Sequence, residues 1–319
     1  KALALWGALS KREILTHCSE SRFEAPGALN GNVLPEKEKD IVSYHLESIG
    51  NIITDAINVR WFLPTIQRPY VWRADAIEAL LDSVLRGYPI GSLMVWAVPP
   101  EKVGHWDCYA FEANIREQNL HRRAVNQLPK TGLVQVLDGQ QRLTSLLVAL
   151  RGSYAPLKKG RKVAPAYNEA PMTMYLDLLH QPKVADADDE SVDEILQRHY
   201  KLKFFSGAAP IRLSEFWFPV SHIMSVRDET GFAGLVEQRI QRSAALTADE
   251  KVLARDTLQR LWETVWLEKN IAYFVESSNN PDRVVDIFIK ANDTGKKLSK
   301  QDLLVSVMSV RWEQVNIQH

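Results

Sequence analysis

The chain has 319 residues, 45% of them hydrophobic and 24% charged, which excludes a disordered or fibrous class and fits one large domain or two small ones. Its 39 basic and 39 acidic side chains cancel, so a uniformly basic nucleic-acid coat is excluded and only a local basic groove is left open. Two cysteines, Cys18 and Cys108, make neither a disulfide framework nor a four-thiolate zinc site and fit a reducing compartment. No apolar run reaches the roughly 18 residues of a membrane span, and the apolar start is short for a secretion signal, so a cytoplasmic location without membrane contact is expected.

In chain order, residues 1–18 suit a short amphipathic helix, and residues 19–40, rich in Gly, Pro, Asn and Ser, a linker. The spacing of Ile49, Ile52, Ile53, Ala56 and Ile57 predicts a helix over about 41–59. Trp61 to Leu63 suggests a strand stopped by Pro64, and the run from Ala76 to Leu85 a helix ended by Gly87. Pro89 to Trp96 reads as a buried strand. Leu133 to Leu137 reads as another, running into Asp138-Gly-Gln-Gln-Arg142 and a helix from Leu143 to Leu150. Met172 to Asp177 suggests a strand, and the acidic stretch from Asp186 to Glu194 a helix start. It lacks the glycine and spacing of a calcium loop. The remainder reads as helical over 232–242, 249–269, 284–291 and 299–310, with one strand at 270–275. Strands between unequal helices argue for α+β rather than a doubly wound sheet. The expected division is an N-terminal helix and linker (1–45), a small strand-and-helix core (46–180) and a mainly helical region (181–319).

The most informative segment is the corner at Asp138 to Arg142. Gly139 permits a sharp turn, and the helix that follows offers unpaired N–H groups and its positive end to a phosphate. Arg142 in the first turn opposes the helix dipole unless an anion is present. Asp138 could hold Mg²⁺, orient a water or pair with Arg142. An equally simple reading makes Asp138 a helix cap and the Gln–Arg group a solvated first turn.

A second segment, Gln67-Arg68-Pro69-Tyr70-Val-Trp72, combines an amide, a guanidinium and aromatic rings, as a nucleotide or nucleic acid requires. Its plain alternative is core packing and a structural salt bridge. A third, Asn292 to Leu304, reads as helix, glycine turn and capped helix, with Lys296, Lys297 and Lys300 making it basic. It is not a Walker A loop, because Lys290 stands where the first glycine belongs. Further basic runs are His121 to Arg123 and Lys158, Lys159, Arg161 and Lys162. Together these are the candidate DNA contacts, although such runs are more often solvated loops.

Taken together, Leu63-Pro-Thr-Ile-Gln-Arg-Pro-Tyr-Val-Trp72, Gly87-Tyr-Pro-Ile-Gly91, Leu137-Asp-Gly-Gln-Gln-Arg-Leu-Thr-Ser-Leu146 and Asn292 to Leu304 resemble the N-terminal domain of GmrSD-type modification-dependent restriction proteins. The resemblance covers about residues 46–310. It implies a ParB/sulfiredoxin-like small mixed-sheet core followed by a mainly helical region. It implies binding and hydrolysis of an NTP with Mg²⁺, in a sensor of modified DNA used against phage. On that reading Gln67, Arg68, Tyr70, Gly139, Gln140, Gln141, Arg142 and Thr144 bind the nucleotide. Asp138, Gln141, Arg142 and Arg68 act in catalysis, and Asp138 is the metal ligand. Two departures stand out. Ile66 occupies the place of the family's tyrosine before Gln-Arg, and the eight dispersed histidines offer no HNH-type pair. Cleavage by this chain alone is therefore not expected, and a nuclease domain, missing or separate, is the expected partner. The alternatives are a nucleotide-switched binding module without turnover and a ParB-fold nuclease.

Overall fold

The computed structural model describes residues 43–65, 67–103, 107–117, 123–157, 169–181, 198–212 and 214–293. Ser48 divides a strand from a helix where the spacing predicts helix throughout. Strand β1 (Ser43–Glu47) precedes it. The Ser48 hydroxyl then accepts from the Asn51 N–H at 3.2 Å and starts α1 (Ile49–Asn51), which continues as a wider π turn, Ile52–Ala56. The expected apolar face does form, since Ile49, Ile52, Ile53, Ala56 and Ile57 are all buried.

Next come β2 (Trp61–Pro64), α2 (Ala74–Leu85) and β3 (Leu93–Ala97), followed by the short strands β4 (Cys108–Tyr109) and β5 (Asn114–Arg116). β3 begins later than Pro89, because Gly91 turns the chain with φ +80°. β6 (Val134–Asp138) leads into α3 (Gln140–Arg151), and β7 (Ser153–Ala155) and β8 (Thr173–Asp177) follow. The second half holds more strand than its pattern suggests. β9 (Leu202–Phe205) and β10 (Trp217–Pro219) precede α4 (Glu229–Val236), α5 (Ala248–Trp262), β11 (Ile271–Glu276) and α6 (Pro281–Asp293). The segments at 1–18, 186–194 and 299–310 lie outside the described residues.

The architecture is α+β. A six-stranded mixed sheet has the order β1-β11-β3-β6-β2-β4, with β11/β3 and β2/β6 parallel and the other neighbours antiparallel. A three-stranded antiparallel sheet, β10-β8-β9, and the β5–β7 pair complete the strands. α3 is buried along nearly its whole length, from Gln140 to Leu150 with only Arg142 half-exposed. It packs on α2 and on the Val220–Ser225 turn, and so ties the large sheet to the helices of the second half. Burying its Leu143, Leu146, Leu147 and Leu150 side chains contributes about 1.5–3 kcal/mol each, which fixes the start of α3 relative to β6. Among the described residues no helix is long and apolar enough to cross a membrane.

Candidate functional site

β6 is buried on both faces and ends at Asp138, beside Met94 of β3, where the β3–β6 register shifts. The chain then turns at Gly139, whose φ of +93° and ψ of 7° lie in the left-handed region. A Cβ there would sit 2.1 Å from Leu93 Cδ2, so both conformation and space require glycine. Gly139 is the N-cap of α3, which starts three residues earlier than Leu143, and no side chain caps it. Asp138 is therefore not the cap. Its carboxylate accepts from Arg142 Nη2 at 2.8 Å.

The same guanidinium donates to the Ile90 carbonyl at 2.6 Å and the Ser92 carbonyl at 3.1 Å. Arg142 thus staples the loop before β3 to the corner after β6. Gly91 makes room for it, because a Cβ there would lie 2.7 Å from Arg142 Nη1. The charge that opposes the α3 dipole is met by an internal acid and two carbonyls.

Three glutamines do a second structural job. Gln67 Nε2 donates to the carbonyls of Val136 at 3.1 Å and Leu137 at 2.6 Å. Gln140 Nε2 donates to the Arg68 carbonyl at 2.9 Å. Gln141 Nε2 donates to the Pro69 carbonyl at 3.1 Å, and its Oε1 accepts from the Val71 N–H at 3.0 Å. The 67–71 segment is held against the corner by side-chain amides, in place of a sheet ladder. Tyr70 completes the clamp with a 2.8 Å hydrogen bond to the Ser145 hydroxyl, and burial pushes its phenol far above the usual range, so it stays protonated.

Between clamp and corner lies a cleft of about 150 Å³, lined by residues 138–142 with Gln67, Arg68 and Trp72. The structure therefore brings Gln67, Arg68, Gly139, Gln140, Gln141, Arg142 and Asp138 together, as the sequence suggests. Tyr70 and Thr144 do not line the cleft. Thr144 is buried, and its hydroxyl has no partner among the described residues. Of the cleft's cations, Arg142 is engaged, whereas the Arg68 side chain has no hydrogen-bond or ion-pair partner among the described residues. The Gln140 Oε1 is buried and also lacks one.

Among the described residues no group of three His, Cys, Asp or Glu side chains could hold a metal ion. Asp138 offers one carboxylate, already shared with Arg142, so Mg²⁺ would fit here only with most of its ligands supplied by phosphate and water. Lys158, Lys159, Arg161, Lys162, Lys296, Lys297 and Lys300 lie outside the described residues, as do His121 and Arg122. Arg123 lies within them and pairs with Glu112 at 3.4 Å on the surface. Sequence reasoning missed the staple of Arg142 to Ile90 and Ser92. The signal was Gly91, a glycine placed just before a strand.

Fold and corner together define an α+β domain built around a helix start that opens on a small cleft. Residues 49–309 match the family described as GmrSD restriction endonuclease, N-terminal domain, and the chain belongs to that family. It is also similar to an uncharacterized protein, MJ0686, of Methanocaldococcus jannaschii, with 26% identity over 286 residues that make up 83% of this chain and 42% of that protein. The chain thus spans less than half the length of that relative.

Proposed function

We propose that the chain is the nucleotide-sensing domain of a cytoplasmic, modification-dependent restriction system directed against phage DNA. In this reading a phosphate of a nucleoside triphosphate sits in the cleft between Arg68 and the uncapped first turn of α3. The observation that carries it is the Arg68 guanidinium, without a described partner, at an uncapped helix start, where N–H groups and helix dipole both favour an anion. A volume of about 150 Å³ suits phosphate rather than a whole nucleotide, so base and sugar would lie at the mouth, beside the half-buried Trp72.

In hydrolysis, Arg68 and the helix N–H groups would stabilise the charge that develops on the transferred phosphoryl group. Arg142 would hold the corner in shape. Asp138 would use its remaining lone pairs to orient a water or to contact Mg²⁺ brought in by the nucleotide. Modified DNA and a nuclease domain, on this or another chain, are the partners this reading calls for.

A nucleotide-operated switch without turnover is the second reading. One observation favours it: Asp138, the one carboxylate among the described residues of the cleft, is already paired with Arg142. A ParB-fold nuclease has less support, since among the described residues no second carboxylate lines the cleft. Calorimetric titration with ATP and GTP in Mg²⁺, combined with a phosphate-release assay, separates the first two. Binding with release supports the hydrolase, and binding without release the switch. Absence of binding for every nucleoside triphosphate refutes both.

A further inference from the structure

The β8–β9–β10 sheet turns a cluster of aromatic rings outward, on the same face as Thr173 and the exposed Lys203. Its core face is apolar and buried, formed by Met174, Leu176, Leu202, Phe204 and Phe218. The other face carries Tyr175, Phe205 and Trp217, with ring centroids 5.6 Å apart for Tyr175–Phe205 and 4.9 Å apart for Phe205–Trp217. Here lies a cavity of about 560 Å³. Its lining combines Tyr175, Phe216 and Trp217 with the 208–212 loop and with Arg239 and Ala245 from the α4–α5 region. That volume is within the roughly 300–1,000 Å³ of small-molecule sites.

The polar groups of the wall narrow the choice of guest. Glu215 accepts from Lys201 at 2.6 Å and from the Trp217 indole N–H at 2.9 Å. Its Oε2 has only the indole as a described donor, so it can accept one more hydrogen bond. Arg212 lies 3.5 Å from Glu215, and the exposed Arg239 has no described partner. Two guanidiniums disfavour a cationic guest, and three charged side chains disfavour an acyl chain. A flat ring with N–H donors, joined to an anion, satisfies the aromatic wall, Glu215 and both arginines.

We propose that this cavity binds a nucleotide unit, with the nucleobase against Tyr175 and Trp217 and the phosphate at Arg212 and Arg239. A free nucleoside monophosphate and a base turned out of a DNA strand carry the same chemistry. The site shares no residue with the corner cleft and stands independently of its proposed role.

The test is titration of the Arg68→Ala protein, which removes the corner's anion ligand, with the four deoxynucleoside 5′-monophosphates and with a short single-stranded oligonucleotide. Arg239→Ala and Ala245→Trp are then added, both at exposed positions, with thermal melting to confirm folding. The expected result is at least fivefold weaker binding in Arg239→Ala and in the cavity-filling Ala245→Trp. Monophosphate binding without a gain from the oligonucleotide supports a free-nucleotide site. Binding of the oligonucleotide at least tenfold tighter supports a site for a DNA-borne base. No binding of either probe, or binding that both folded variants leave unchanged, overturns the proposal.

Discussion

The Arg142 guanidinium and the Asp138 carboxylate meet at 2.8 Å across the corner between β6 and α3. The pair is partly shielded, with side-chain exposures of 19% and 32%, and is reinforced by the Ile90 and Ser92 carbonyls. An arginine in the first turn of a helix suggests a waiting anion. Here the anion is internal, and among the described residues the Arg68 side chain, the other guanidinium of the cleft, has no hydrogen-bond or ion-pair partner.

Arg142→Ala removes one ion pair and two hydrogen bonds to carbonyls, and leaves Asp138 at the corner uncompensated. The expected cost is about 2–4 kcal/mol of stability. Arg142→Lys should recover only part of it, because an ammonium cannot reach three acceptors with the planar guanidinium fork. Chemical denaturation checks both, and a stability change below about 0.5 kcal/mol would show that the staple is dispensable.

Gly91→Ala strains a backbone at φ +80° and drives a methyl group toward Arg142 Nη1 at 2.7 Å. In a double-mutant cycle, Gly91→Ala should therefore cost less in the Arg142→Ala background than alone, by about 1 kcal/mol. Equal costs in both backgrounds would mean that the glycine serves the turn and not the arginine.

Gln67 lies buried with its amide on two carbonyls of β6, so Gln67→Leu leaves both without that donor. A loss of about 1–3 kcal/mol is expected. Gln141→Leu should release the 67–71 segment, and hydrogen exchange at the Val71 amide should rise. Unaltered protection at Val71 would rule out the clamp.

The Lys201–Glu215 pair sets a pH dependence away from the corner. Hydrogen bonds from Lys201 and from the Trp217 indole hold the Glu215 carboxyl below its usual range. A lowered folded value means stability that is present above the unfolded pKa and is lost as pH falls through the folded one. Burial opposes the Lys201 charge, but its bonds to Glu215 and Asp177 raise it overall. That contribution is present below the ordinary lysine pKa and is lost as pH rises through the folded value. Melting temperatures of Glu215→Gln should therefore fall less steeply than wild type between pH 5 and pH 3, and parallel curves would count against the pair.

The corner was legible in the sequence because glycine, helix start and strand end are local signals. The roles of its side chains were not. A glutamine in a first turn reads as a ligand donor, yet Gln140 and Gln141 reach backbone about 70 positions earlier in the chain, which no local pattern encodes. β1 was hidden because the isoleucine spacing of α1 extends back past Ser48, the cap that ends the strand. β9 and β10 are four and three residues long, too short for an alternating pattern to register.

Arg68 carries the central claim, and isothermal titration of wild type, Arg68→Ala and Arg68→Lys with nucleoside triphosphate and Mg²⁺ tests it most directly. Arg68→Ala should bind at least tenfold more weakly while melting within about 1 °C of wild type, with partial recovery in Arg68→Lys. Undiminished affinity in a folded Arg68→Ala protein would contradict a phosphate held by that guanidinium.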